Sequence, residues 1–260
     1  MKILGIDIGG SAIKYGTIDI SGSKAEIIDH DVCAVTFSNT PEEYCRALEK
    51  LITENAHEKT VGIAFPTVIK HGEPEYVKSP GSRFYSVWPY IYERFCVKDD
   101  YSVFCLNDAD AAGMAELAGP HQDMMSRGIA ILLTLGTGIG SAVFIDGHLL
   151  PNSELAYLRM HGRWAEDYTA ASVINKEGLT MDEWSDRLHE YLVDLERILN
   201  PDTILLGGKI SNDFALYRDK LSDLQSVIMP AYYRNDAGIV GAALFAARSL
   251  EAKEDHGRGN

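Results

Sequence analysis

Residues 3–20 read ILGIDIGGSAIKYGTIDI, and the way the chain turns at Gly9-Gly10-Ser11 decides the fold. Ile3, Leu4, Ile6 and Ile8 form an apolar run, the glycines break it, and β-prone residues resume from Ala12 to Ile20. That order is strand, tight turn, returning strand. A dinucleotide fingerprint would lead from its glycines into a helix instead. Glycines without a Cβ let backbone N–H groups converge on an anion. Asp7 stands at the strand end beside the turn, where a carboxylate can hold a cation that neutralises phosphate. The competing reading is an ordinary hairpin with Asp7 in solvent.

Residues 129–146, IAILLTLGTGIGSAVFID, repeat the grammar: an apolar strand, a turn with Gly136, Thr137, Gly138 and Gly140, and a strand ending in Ile-Asp. Two such units far apart in the chain suggest duplicated half-domains. Two glycine turns facing across a cleft would grip a chain of phosphates.

The 260 residues suffice for one or two domains with a sizeable core, and 46% hydrophobic and 9% aromatic residues are globular values. No apolar run is long enough to span a bilayer, and the first residues enter a strand rather than a signal peptide. A net charge of −14 without a Lys/Arg cluster argues against nucleic-acid binding. Any phosphate must then be held locally, by backbone N–H groups, a few cations and metal. Cys33, Cys45, Cys96 and Cys105 lack metal-ligand spacing and fit reduced thiols of a cytosolic protein.

Further along, Lys24–Val35 reads as a third strand. Thr40-Pro41-Glu42-Glu43 is a helix start with a capping box, and apolar spacing carries that helix to about Glu54. Thr60–Phe65 is a strand, 66–76 a ribbon around His71-Gly72, Ser79–Gly81 a turn and Val87–Phe95 a helix. Ser102–Leu106 is a buried strand leading into a small-residue helix. The loop Gly119–Ser126 is a candidate junction. A helix is expected over Ala165–Asn175. A second capping box at Thr180–Glu183 begins a long helix with Trp184, Leu188, Tyr191, Leu192, Leu195, Ile198 and Leu199 on one face. Thr203–Leu206 is a strand running into Gly207-Gly208-Lys209, with a helix from Ser211 and a small-residue helix over Asn235–Leu250. Alternating strands and helices give an α/β fold.

Asn107-Asp108 closes a buried strand and opens a helix, the usual place for ligands in α/β sheets. A carboxylate there could take a proton from a hydroxyl that attacks phosphorus. An N-cap pair with only a structural role is the alternative.

Together, GIDIGGSAIK (5–14), LNDADAAG (106–113), LTLGTGIGSAVF (133–144), LPNSEL (150–155), LNPDTILLGGKIS (199–211) and NDAGIVGAA (235–243) resemble the ROK family of sugar kinases and repressors, above all its polyphosphate glucokinases. The resemblance covers nearly the whole chain. It implies a two-lobed actin-like ATPase (ribonuclease H-like) fold with a duplicated core around a deep cleft. The expected lobes are a smaller one over 1–106, completed by the helix 235–250, and a larger one over 107–234, with a disordered tail at 251–260.

On the same resemblance Asp108 is the catalytic base, and Asn107, Thr67, Glu154, Tyr157 and Glu166 bind the sugar. Gly9, Gly10, Ser11, Lys14, Gly136, Thr137, Gly138, Gly207, Gly208 and Lys209 hold the donor, and Asp7 the Mg²⁺. No zinc is expected, since the family's cysteine cluster is absent. Three departures stand out: Pro66-Thr67 replaces Pro-Gly, Ala156-Tyr157 replaces a Gly-His that contacts sugar, and Lys209 replaces a third glycine. No DNA-binding helix-turn-helix precedes Met1, which disfavours a repressor.

The expectation is a cytoplasmic, homodimeric kinase moving a phosphoryl group from polyphosphate, ATP or both to a hexose, first of all the 6-hydroxyl of glucose. Nucleic acid and membrane are not expected partners. The alternatives are a non-catalytic sugar or phosphate sensor and a kinase for another hexose or an amino sugar.

Overall fold

The computed structural model describes residues 1–9, 12–35, 40–75 and 84–258, and the side chains as far as 254. The expected turn at Ser79–Gly81 lies outside them. The chain divides into two compact units, 1–119 with 236–260, and 120–235.

In the first unit β1 (Lys2–Ile8), β2 (Ile13–Ser21) and β3 (Lys24–Cys33) form an antiparallel meander. Helix α1 (Pro41–Asn55) starts at the predicted capping box, with Thr40 and Glu43 each accepting the other's backbone N–H, and buries Tyr44, Leu48, Leu51 and Ile52. Strand β4 (Thr60–Phe65) joins β1 in parallel. The ribbon around His71-Gly72 is the hairpin β5 (Ile69–Lys70) and β6 (Glu73–Pro74), both turn residues having positive φ. Helix α2 (Phe84–Ile91) runs into a π-helical turn at Tyr92–Val97, and β7 (Ser102–Asn107) pairs with β4 in parallel. The sheet order is β3-β2-β1-β4-β7. Helix α3 (Asp108–Glu116) follows.

The second unit opens with the short helix α4 (Gln122–Met125), where the sequence suggested a loop. Strands β8 (Ile129–Leu135), β9 (Ile139–Ile145) and β10 (His148–Leu150) form a second antiparallel meander, followed by the ribbon β11 (Arg159–Met160) and β12 (Arg163–Trp164). The helix expected over Ala165–Asn175 is instead α5 (Ala165–Thr169) and α6 (Ser172–Glu177). Ala170 between them is extended (φ −57°, ψ 150°) and fully buried. Helix α7 (Met181–Leu199) begins at its capping box and buries Trp184, Leu188, Tyr191, Leu192 and Leu195, whereas Ile198 is exposed. Strand β13 (Thr203–Gly207) pairs in parallel with β8 and with β14 (Val227–Pro230), giving β10-β9-β8-β13-β14. After β13 a 3-10 helix begins at Lys209, two residues ahead of the expected Ser211. The two five-stranded sheets therefore share one order and one pattern of directions, which is the duplication expected from the paired glycine hairpins.

Helix α8 (Ala237–Arg258) belongs to the first unit and carries on through residues expected to be disordered. It lies against β1, β4 and α3. A Cβ on Gly5 would overlap the Ile239 carbonyl, and one on Gly62 the Ala242 carbonyl. The glycines permit backbone-to-backbone approach, and Ile239, Val240, Ala242 and Ala243 are completely buried in return. Since α8 also packs on α3, the first unit runs to Gly119 rather than ending at Leu106, and it holds the larger share of the chain. All four cysteines are free thiols. No helix among the described residues is long and apolar enough to cross a membrane.

Candidate active site

In the first unit β1, β4 and β7 are adjacent and parallel, so their carboxyl ends share one sheet edge. That edge carries Asp7, Thr67, Asn107 and Asp108. Asp7 faces Lys14 across the β1–β2 pair, with 3.6 Å between Oδ2 and Nζ. It also sits against the first turn of α8, because a Cβ on Gly238 would fall onto its carboxyl group. Burial raises the Asp7 pKa above the carboxylate range, and Lys14 opposes the rise by its charge and hydrogen bond. Gly9 donates its N–H to the Ala12 carbonyl (2.9 Å), closing the turn around Gly10 and Ser11, which are themselves outside the described residues.

Asn107 is the N-cap of α3. Its Oδ1 accepts from Ala109 N–H (2.9 Å) and Asp110 N–H (3.2 Å), and its Nδ2 donates to the Thr67 carbonyl (3.2 Å). The capping role weighed from the sequence is thus present, and Asn107 also ties the end of β7 to the segment after β4. Asp108, the first helical residue, accepts from Ala109 N–H with Oδ1 (2.8 Å) and is partly exposed. Thr67 is buried, and its hydroxyl has no partner among the described residues.

In the second unit the β8–β9 turn and the Gly207-Gly208 turn lie at the same edge, because β8 and β13 are adjacent and parallel. Gly208 has φ +82°, and a Cβ there would overlap the Leu135 carbonyl. Gly207 has room, its Cβ meeting nothing nearer than 3.5 Å. The Lys209 side chain is exposed and makes no hydrogen bond or ion pair among the described residues.

Glu154 is positioned by its neighbour Ser153, part of the LPNSEL stretch, and by Ser141, which the sequence did not single out. Ser141 Oγ donates to the Ser153 carbonyl (2.6 Å), Ser153 Oγ donates back to the Ser141 carbonyl (2.9 Å), and Leu155 N–H donates to Ser141 Oγ (3.0 Å). These bonds strap the segment around Glu154 to β9. Burial first, and the Glu166 charge second, raise the Glu154 pKa. The Tyr157 hydroxyl is shifted upward by burial and by both glutamates. The three groups therefore share one neighbourhood. Tyr157 is 55% exposed and packs edge-on against Trp164 (5.5 Å), while the Arg159 guanidinium lies 3.5 Å from the Trp164 ring centroid.

Glu166 also reaches the glycine turn. Its Oε2 accepts from Ile139 N–H (3.4 Å) and fills the space a Cβ on Gly138 would need. Ser172, another residue the sequence reading passed over, donates its N–H to the Gly136 carbonyl (3.0 Å) and its hydroxyl to the Thr137 carbonyl (2.7 Å). Sequence carries no signal for it, since nothing in AAS (170–172) announces a break between two helices.

The sequence profile of the ROK family matches residues 3–154. A polyphosphate glucokinase of Mycobacterium tuberculosis is 33% identical over 246 residues, 92% of this chain and 89% of the relative. The crystal structure of an inorganic polyphosphate/ATP-glucomannokinase from an Arthrobacter species superposes with a TM-score of 0.81 at 32% identity, covering 95% of this chain and 99% of that one. A ROK family glucokinase from Streptomyces griseus, in complex with glucose and AMPPNP, shares the fold at 20% identity and a TM-score of 0.75, over 95% of this chain and 100% of its own. The fold is the two-part actin-like ATPase architecture of these sugar kinases.

Proposed function

This chain belongs to the ROK family, and on that footing we propose that it is a sugar kinase passing a phosphoryl group from polyphosphate or ATP to a hexose hydroxyl, with the 6-hydroxyl of glucose as first candidate. The observation that carries the reading is Asp108, a partly exposed carboxylate at the carboxyl end of β7 and the first residue of α3. The α3 N-terminus favours its anion. Asp108 takes the hydroxyl proton while the sugar oxygen bonds to phosphorus; the bond to the leaving phosphate breaks, and its electron pair departs with that phosphate.

Glu154 and Glu166 accept hydrogen bonds from sugar hydroxyls, which ionised carboxylates do strongly. Lys14 and the turn N–H groups other than those of Gly9 and Gly136, which bond within their own turns, serve the donor phosphates. Among the described residues no three His, Cys, Asp or Glu side chains cluster as metal ligands. A donor-borne Mg²⁺ needs only one or two carboxylates beside the phosphates, and the largely buried Asp7 fits that demand. Mg²⁺ bound there would offset the phosphate charge. Homodimeric assembly and a cytoplasmic location complete the proposal on family analogy.

One observation favours a wider acceptor range. The exposed Tyr157 shares the neighbourhood of the two glutamates and packs on Trp164, over which Arg159 lies, so this side offers aromatic surface rather than a small polar contact, and mannose and amino sugars belong beside glucose in the assay. The test is consumption of ATP and of polyphosphate against such an acceptor panel. Hexose-dependent turnover with either donor is expected. No sugar-dependent consumption of either would overturn the reading and leave the sensor alternative.

A further inference from the structure

The break between α5 and α6 has a chemical result. A continuous helix would spend the Ser172 N–H on a carbonyl four residues back. Because Ala170 is extended, that N–H points out of the helix and bonds Gly136, while the hydroxyl bonds Thr137. Seven residues therefore grip both shoulders of one hairpin turn: Ser172 holds the β8 side through two carbonyls, and Glu166 holds the β9 side through Ile139 N–H and the space over Gly138. A turn containing two glycines is soft unless tied down. Both ends of the grip are anchored beneath. The Trp184 indole of α7 donates to the Thr169 carbonyl (2.9 Å), and Ala165 and Ala170 are completely buried.

We propose that residues 166–172 form a bracket through which acceptor binding orders the donor turn, with Ser172 as a positioning residue. This rests on the reading of Glu166 as a sugar ligand and of the β8–β9 turn as a donor contact. A hexose held by Glu166 fixes the carboxylate that also accepts from Ile139, so the turn loses freedom before the donor arrives. The donor then binds with a smaller ordering cost, and by linkage it tightens the hexose by the same factor.

The experiment measures the affinity of the hexose and of a non-hydrolysable ATP analogue, each alone and in the presence of the other, together with hydrogen exchange of the 134–141 amides. In the wild type the hexose should tighten the analogue and slow exchange in the turn. Ser172→Ala removes one of the two carbonyl ties. It should raise the donor KM about three- to tenfold, leave hexose affinity in the absence of donor within about twofold, and reduce the mutual tightening toward none. Ser172→Thr keeps the hydroxyl and should recover most of the coupling. An active wild type without mutual tightening, or a Ser172→Ala protein with unaltered tightening, overturns the bracket and leaves the kinase reading intact. A Ser172→Ala protein with a lowered Tm and equal losses for both ligands also overturns it, since Ser172 would then be a structural strut. If Ser172→Ala cannot be produced folded, Gly138→Ala serves instead: its methyl must displace Glu166, so hexose affinity and turn protection should fall together, and loss of only one counts against the bracket. A wild type that phosphorylates no hexose overturns both readings.

Discussion

Asp7 and Lys14 face each other across the first hairpin at 3.6 Å, yet the carboxyl group still holds its proton more tightly than an ordinary aspartate. Burial against the first turn of α8 outweighs the lysine, whose side chain is 39% exposed and so screened by water. A buried anion kept for a ligand costs stability when the ligand is absent.

Asp7→Asn should therefore melt at or above the wild-type temperature at neutral pH while losing at least ~10²-fold in kcat and demanding more Mg²⁺. The sign follows from proton linkage. A raised folded-state pKa means the folded protein binds the extra proton, so the wild type loses stability as pH rises through that pKa and regains it on acidification. The Tm advantage of Asp7→Asn should accordingly shrink toward acid pH. A variant that unfolds at neutral pH would instead make Asp7 a structural residue.

Asp108→Asn keeps size and the bond from Ala109 N–H but removes the proton acceptor. Its kcat should fall about 10²- to 10⁴-fold with hexose affinity little changed. Turnover near the wild-type rate would assign the base elsewhere.

The acidic limb of the hexose KM tests the paired glutamates. With the Glu154 pKa raised by burial and by Glu166, hexose binding should begin to weaken at a higher pH than an ordinary carboxylate allows. Glu166→Gln removes one of the two causes, so the limb should move to lower pH even as overall affinity drops. A limb that stays in place would mean that Glu166 does not act on Glu154.

Two glycine substitutions separate close approach from mere turn propensity. Gly62→Ala sets a methyl against the Ala242 carbonyl and should cost about 1–3 kcal/mol by chemical denaturation. Gly207→Ala meets nothing nearer than 3.5 Å and should stay within about 0.5 kcal/mol of the wild type. The reverse ranking would show that α8 is not seated as described.

Lys209 tests the donor. An exposed cation with no hydrogen bond or ion pair among the described residues is available to a polyanion, whereas the chain as a whole, at −14, repels one. Polyphosphate turnover should fall steeply with salt, and Lys209→Gly should shift the donor ratio toward ATP. An unchanged ratio would leave Lys209 as a surface residue.

Both hairpins, both capping boxes and the strand at Thr60–Phe65 were legible because each is written locally, as alternation, a cap or a glycine pair. The helix break at Ala170 was not, because neither alanine opposes helix; burial of Ala170 and the pull of the turn on Ser172 decide it. Asp7 and Asp108 could be found as strand-end acids. The company they keep could not, since Gly238 lies more than two hundred residues from Asp7 in the chain. The serine strap on Glu154 and the reach of Glu166 to Ile139 likewise depend on tertiary packing alone.

The seating of α8 has a consequence for how the protein comes off the ribosome. Residues 120–235 complete a sheet and its covering helices within one continuous stretch, so they can fold as they emerge. The sheet of residues 1–119 is made first but must wait for Ala237 and beyond before β1, β4 and α3 receive the helix their glycines and alanines are shaped for. Until then Gly5 and Gly62 mark an uncovered apolar face on a nascent chain. The same delay keeps Asp7 from gaining its seat beside Gly238 until the start of α8 has been made, about 230 residues after Asp7 itself.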